Sequence, residues 1–236
     1  FKRTNACPSS RRLSRIKLKS VVLFGSTGRT GMALCSQIRE KDYVLYAITR
    51  SNKNNSELES IQAKIMLADA LDKDQVSEVL SAIDNQSIVV SLVGGQNAEL
   101  AIRSDFPANK NIIDACEELG FSRFIFVTSI GAGESKPQLP DMLKPFLGPV
   151  AEEKTKAENA LRSSNLKYTI IRPGQLTNHP ATGNAILTEE CILGTMTRQD
   201  LASMVMKAID DDETIGKIYS TLDQHKDPDF SWVQNR

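Results

Sequence analysis

Little in this sequence is suited to holding a metal or to building a disulfide framework. Among 236 residues there are four cysteines, Cys7, Cys35, Cys116 and Cys191, far apart and without a CxxC pair, and only two histidines, His179 and His225. That spacing argues against a zinc site and fits a reducing compartment, so no metal is expected. No apolar run approaches the roughly 18 residues of a membrane-crossing helix, and no membrane span is expected. Net charge is lacking too, with 29 basic residues against 29 acidic, but the balance hides an asymmetry. Seven of the basic residues (Lys2, Arg3, Arg11, Arg12, Arg15, Lys17 and Lys19) crowd into the first 19 positions without an acid, leaving a mildly acidic body of 22 against 29. Such an Arg- and Ser-rich stretch reads either as the end of an organelle transit peptide or as a disordered arm or expression remnant, and the missing initiator Met points to a processed or truncated chain. The expected location is intracellular, in the cytoplasm or, for a transit remnant, in a plastid or mitochondrion. Aromatic residues do not interleave these charges beyond Phe1, so nucleic acid is not an expected partner.

What the chain does have is an ordinary globular composition, 40% apolar and 25% charged, and a regular alternation of strand-like and helix-like segments. Strands are expected at 20–24, 43–49, 63–67, 87–93, 123–128, 168–171 and 217–220. Helices are expected at 30–41, 73–83, 109–119, 151–164 and 200–209. This alternation implies right-handed crossovers and a single-domain α/β fold, a doubly wound parallel sheet of the Rossmann type. Residues 1–19 then form a leader, 20–224 the folded unit and 225–236 a tail with Phe230 and Trp232. The segment 131–149, GAGESKPQLPDMLKPFLGP, is rich in Gly and Pro and reads as a lid or substrate loop, with Met142, Leu143, Phe146 and Leu147 offered to a small planar substrate or to a protein partner.

The first strand runs into VVLFGSTGRTG. In a doubly wound sheet the first strand-to-helix turn is the phosphate site, and Gly25, Gly28 and Gly31 occupy it. Gly25 permits the sharp exit, Gly28 a close backbone approach to a pyrophosphate, and Gly31 tight packing of helix on strand. Ser26 and Thr27 add hydroxyl donors, Thr30 is a further cofactor-binding candidate, and the helix dipole favours the anion. At the end of the second strand a carboxylate would select NAD; YAITRSNKNN has none and presents Arg50, Ser51 and Lys53. With Arg29 in the glycine turn, this favours NADP(H) over NAD(H), the alternative being that both arginines are solvated loop charges.

GSTGRTG, Asp69 after the third strand, SLVGG at 91–95, VTSIGAG at 127–133, NLKYTIIRPGQL at 165–176 and TRQDLASMVMKAI at 197–209 together resemble the NmrA-like group of atypical short-chain dehydrogenase/reductases. Within that group the chain looks most like the biliverdin-IXβ reductase/flavin reductase family. The resemblance implies that Asp69 and Ala70 flank the adenine and that Val93, Gly94 and Gly95 line the cofactor. It further implies that Thr128 and Ser129 lie by the nicotinamide and that Pro173 and Gly174 close over it. Two departures bear on catalysis. The plausible catalytic lysine, Lys154, has Val150 four residues before it where the family's wider class has tyrosine, and Gln175 stands where a histidine is common. Candidate catalytic residues are therefore Ser129, Lys154 and Gln175, although Lys154 also reads as part of a solvated helix face and Ser129 as a loop hydroxyl. A flavin, quinone or open tetrapyrrole, which can take its proton from water, is the acceptor class such a site can serve. The alternative is a non-catalytic NADP(H)-binding module that acts as a structural subunit, assembly factor or redox sensor in a larger complex.

Overall fold

In the computed structural model, which describes residues 18–53, 55–95 and 104–228, the first strand β1 (Ser20–Phe24) is a run of β-branched and apolar residues buried on both faces. Such a strand has to lie in the middle of a covered sheet. It pairs in parallel with β2 (Val44–Thr49) on one side and with β4 (Ile88–Ser91) on the other, with Val22 opposite Tyr46 and Val89. Outward from β2 lies β3 (Lys64–Leu67); outward from β4 lie β5 (Arg123–Val127), β6 (Lys167–Pro173), β10 (Lys217–Asp223) and the antiparallel edge strand β8 (Ala185–Thr188). The order β3-β2-β1-β4-β5-β6-β10-β8 reverses between β1 and β4. The carboxyl ends of those two strands are where a crevice opens in this class of fold. A small second sheet pairs β7 (Gln175–Thr177) with β9 (Thr195–Thr197).

Helices cover both faces. On one, α1 (Arg29–Glu40), α2 (Ser56–Ser60) and α6 (Arg198–Asp210) bury Leu34, Cys35, Ile38, Leu58, Leu201 and Val205 against Val21 and Leu23. On the other, α3 (Lys73–Ser81), α4 (Pro107–Glu118) and α5 (Lys144–Arg162) bury Val76, Leu80, Ile112, Cys116 and Leu161 against Val22, Phe24 and Phe124. Alternate β1 side chains thus feed opposite cores, as the two-residue period of a strand requires. The single-domain doubly wound sheet is as the alternation predicts.

Several boundaries differ from expectation. The segment 131–149 is not one long loop: it makes 3-10 turns at Gly133–Gln138 and Asp141–Leu143, and α5 begins at Lys144 rather than at 151. Pro145 is tolerated because it falls in the first helical turn, where no N–H partner exists, and Pro149 sits one turn further in. The short strands β7, β8 and β9 and the one-turn helix α2 were not predicted, since each is too brief to show a period. The basic leader up to Lys17 and the tail anchors Phe230 and Trp232 lie outside the described residues. Among the described residues, no helix is long and apolar enough to cross a membrane.

Candidate functional site

The glycine turn is built for a ligand at the start of α1. Gly25 leaves β1 with φ +85°, a left-handed conformation that glycine adopts without strain, and its carbonyl accepts the Gly28 N–H at 3.1 Å. Gly28 caps α1 through its backbone alone: no side chain satisfies the first N–H groups, and no acid lies in the first turn. The free N–H groups and the positive helix end therefore face an open shelf on which Thr27, Gly28 and Arg29 are exposed. A Cβ placed on Gly31 would overlap the Gly25 carbonyl oxygen and stand 2.8 Å from that of Ser26, so the helix sits closer to the turn than any side chain allows. This close packing at Gly31 brings the uncapped start of α1 against the exposed backbone of Thr27 and Gly28, where a pyrophosphate fits without meeting a side chain at Gly28. Thr30, half-buried, begins the helix behind it. Ser26 differs from expectation: its hydroxyl is fully buried and donates to the Ile48 carbonyl at 2.8 Å, tying the turn to β2. It is not a free donor. Burial pushes the Cys35 thiol up to about 12, which leaves it a packing residue.

At the end of β2, the Thr49 hydroxyl and the Asn55 amide both donate to the Ser51 carbonyl, shaping a turn from which Arg50 and Ser51 are exposed. After β3, Asp69 receives the Leu71 N–H on its carboxylate at 3.0 Å, and the Ala70 carbonyl is held by Asn111.

Beyond β4 the structure supplies a residue that local pattern did not reveal. Asp105, buried before α4, accepts the Gly95 N–H at 3.0 Å and pairs with Lys154 at 3.3 Å. The Lys154 side chain is only 14% exposed, and its Nζ stands 3.5 Å from where a Gly94 Cβ would be. Lys154 is thus drawn from α5 to the carboxyl edge of the sheet, not spread on a solvated face. Val93 completes this edge; its carbonyl holds the Asn109 amide at 3.1 Å.

After β5, the Thr128 hydroxyl is turned inward and donates to Glu158 at 2.6 Å, so the expected position by the nicotinamide is left to its backbone. Glu158 and Arg172 are 1% and 2% exposed and form a two-pronged pair at 3.0 and 2.5 Å. Arg172 also reaches Glu134 at 2.8 Å, which in turn meets Arg162 at 2.6 Å. Burial alone would lower the Arg172 pKa, but the two carboxylates outweigh it and raise it. The Arg172 hydrogen bond holds the Glu134 carboxyl down to about 2. With Gly133 donating to Thr155 and Gly131 to Ser135, this network fastens the supposed lid to α5 and β6. Leu143, expected to face a substrate, is in the core at 3% exposure, whereas Met142, Phe146 and Leu147 are exposed. A cavity of about 340 Å3 lies under the segment, lined by Gly131, Leu139, Pro149 and Thr155.

Ser129 is half-buried at this edge, and among the described residues no partner holds its hydroxyl. Gly174 is pressed against Gly194, whose carbonyl a Cβ would overlap, and the Pro173 carbonyl takes the Ile130 N–H. Gln175 is less free than expected: its amide oxygen accepts the Thr195 hydroxyl at 2.9 Å and its N–H pairs with Gly194, so it stitches β7 to β9. Val150 is half-buried, and no tyrosine takes its place. Asp200, buried beneath the loop at 182–183, accepts both backbone N–H groups there; burial would raise its pKa, but these bonds and the Thr197 and Thr182 hydroxyls lower it.

A glycine turn at the switch point of a doubly wound sheet, followed by an uncapped helix, defines a dinucleotide-binding protein. The chain belongs to the NAD(P)H-binding family, whose pattern matches residues 25–212. An uncharacterized chloroplastic protein of Arabidopsis thaliana is 28% identical over 233 residues, covering 92% of this chain and 81% of that one. The photosystem II assembly factor Ycf39 of Synechocystis is 24% identical over 213 residues, 86% of this chain and 62% of that one. Among solved structures, ChuY, an anaerobillin reductase of Escherichia coli O157:H7, superposes with a TM-score of 0.81 at 28% identity, covering 89% of this chain and 100% of that one.

Proposed function

We propose that the protein is an NADP(H)-dependent reductase that delivers a hydride to a planar acceptor of the flavin, quinone or tetrapyrrole type. The observation that carries this is the convergence at one sheet edge of the open glycine turn, the Gly94–Gly95 strand exit with Lys154 against it, and the unengaged Ser129 hydroxyl. In this reading the backbone from Gly25 to Gly31 holds the pyrophosphate, Arg29, Arg50 and Ser51 the ribose phosphate, Asp69 and Ala70 the adenine, and Val93 to Gly95 the cofactor's middle. The Thr128 backbone, Ser129, Pro173 and Gly174 surround the nicotinamide end. Lys154, held in place by its ion pair with Asp105, donates hydrogen bonds to the ribose; Ser129 orients the acceptor oxygen; Gln175 fixes the floor through Thr195. Bound there, the cofactor supplies the hydride, and the protein positions and excludes water. The likeness to ChuY supports the acceptor class, and the chloroplastic relative supports a plastid location. Following NADPH consumption with flavin, quinone and biliverdin acceptors tests the reading; turnover of at least one is expected.

A second reading is favoured by one feature. With Val150 in place of tyrosine and the Gln175 amide engaged by Thr195, no tyrosine faces the nicotinamide end as a general acid among the described residues. A non-catalytic NADP(H)-binding module that docks a protein through Met142, Phe146 and Leu147 is consistent with that and with the likeness to Ycf39. Tight NADPH binding without turnover on any acceptor would select it.

A further inference from the structure

The cavity of about 340 Å3 beneath the 131–149 segment lies against a face of α5 that the cofactor edge does not use. Helix residues three and four apart share a face. Gly148, Ala151, Glu152 and Thr155 form the one that lines the cavity, whereas Lys154 shares the other with Val150 and with the core residues Ala157 and Leu161. None of Gly94, Gly95, Ser129, Lys154 or Gly174 lines it. The cavity and the proposed nicotinamide end therefore lie on different faces of α5.

Gly148 has no reason in the fold to be glycine. It sits in the helix with neither a left-handed φ nor any atom within 4 Å of where a Cβ would stand, so neither backbone strain nor close packing calls for it. Glycine is also a poor helix former. What it does here is leave the mouth of the cavity open, because a helical side chain at 148 leans back toward Lys144, another lining residue.

The lining sets the chemistry of the occupant. Gly131, Leu139, Pro149 and Ala151 are apolar, and the Thr155 hydroxyl is already engaged, accepting the Gly133 N–H at 2.8 Å and donating to the Ala151 carbonyl at 2.7 Å. Such an interior accepts an apolar body. The mouth carries the ammonium groups of Lys136 and Lys144, whose carboxylate partners, Glu152 and Asp141, are exposed. Ion pairs this exposed hold little, and each flexible ammonium can turn to an anion entering beside it. The volume of about 340 Å3 lies at the lower end of the range for ligand pockets, roughly 300–1,000 Å3, and so admits a small molecule rather than a peptide. We propose that this cavity is a second ligand site, on the flank of α5 away from the dinucleotide, for a small apolar molecule carrying one anionic group, such as a fatty or aromatic carboxylate. The site draws on no residue assigned to the cofactor or the acceptor, and it is independent of which reading of the function holds.

Fluorescence titration of the purified chain with anilinonaphthalene sulfonate, a flat apolar molecule with one sulfonate, tests it. One probe is expected to bind per chain, displaced at least about tenfold better by octanoate than by octanol, the factor that one charge-assisted hydrogen bond supplies. Gly148→Phe covers the mouth where no neighbour has to move, and it should weaken the probe at least about tenfold while the melting temperature holds or rises. Lys136→Met/Lys144→Met should shrink the preference for octanoate to less than about threefold. Phe146→Ser, at a neighbouring exposed apolar side chain, should change binding less than about twofold. Absence of binding by the wild type, binding undiminished in Gly148→Phe, or octanol competing as well as octanoate would each overturn the proposal. Loss of the probe in Phe146→Ser would overturn it too, by placing the probe on the exposed surface and not in the cavity.

Discussion

The glycine turn offers a contest of opposing terms whose sign the structure decides. Replacing Gly31 by Ala within α1 removes a poor helix former, which by itself stabilises by about 1 kcal/mol. Against this, the new methyl overlaps the Gly25 carbonyl oxygen and lies 2.8 Å from the Ser26 carbonyl oxygen. Both obstacles are backbone atoms of a turn that Leu92 and the buried Ser26 hydroxyl also constrain, so no rotamer change relieves them. Overpacking of this kind costs about 1–3 kcal/mol, and with rigid neighbours the upper part of that range applies. A net loss of about 2 kcal/mol follows, which for a chain of this size lowers the melting temperature by about 4–8 °C. Since α1 must shift away from the turn, NADPH affinity falls at least about tenfold. Gly28→Ala is the comparison: its Cβ stands 3.3 Å from the Gly25 carbonyl oxygen and its φ of −72° suits any residue, so the fold is retained while the methyl intrudes on the pyrophosphate shelf. Thermal melts with and without NADPH read both effects. A Gly31→Ala protein as stable as wild type and binding NADPH equally well would refute the reasoning.

Arg172→Met strands the buried Glu158 carboxylate and is expected to cost about 3–5 kcal/mol by denaturant unfolding, much of it regained in Arg172→Met/Glu158→Gln. Glu134, held down to about 2, contributes stability that is present above its unfolded value near 4.5 and is lost as pH falls toward 2; Glu134→Gln should flatten the acid limb of the stability profile. Ser129→Ala should leave unfolding within about 0.5 kcal/mol of wild type. In the reductase reading it lowers turnover about five- to tenfold, the loss of one hydrogen bond, as followed by NADPH absorbance.

The alternation of apolar runs made the sheet legible because strands buried on both faces, such as Val21–Phe24, and helices with one apolar stripe, such as α3, carry their period locally. The glycine turn was legible for the same reason: the demands on Gly25, Gly28 and Gly31 all arise within seven residues. What escaped depends on pairings distant in sequence. Asp105 meets Lys154 from 49 positions away and Glu134 reaches Arg172 from 38; no period encodes such meetings. Ser26, Thr128 and Gln175 were read as free polar groups because a sequence shows a hydroxyl or amide but not the Ile48 carbonyl, Glu158 or Thr195 that engages it. The helix start at Lys144 was hidden by Pro145, Gly148 and Pro149, residues that punctuate most chains but here fall within the opening turns of a helix anchored by its later apolar face.

A dinucleotide seated at the start of α1 is the first requirement of the proposed function, and calorimetric titration of the purified protein with NADPH is the most direct test. One site per chain, with a dissociation constant tighter than that for NADH and abolished by Gly28→Ala, is the predicted result. No heat of binding with either nucleotide, or binding undiminished in Gly28→Ala, would contradict it.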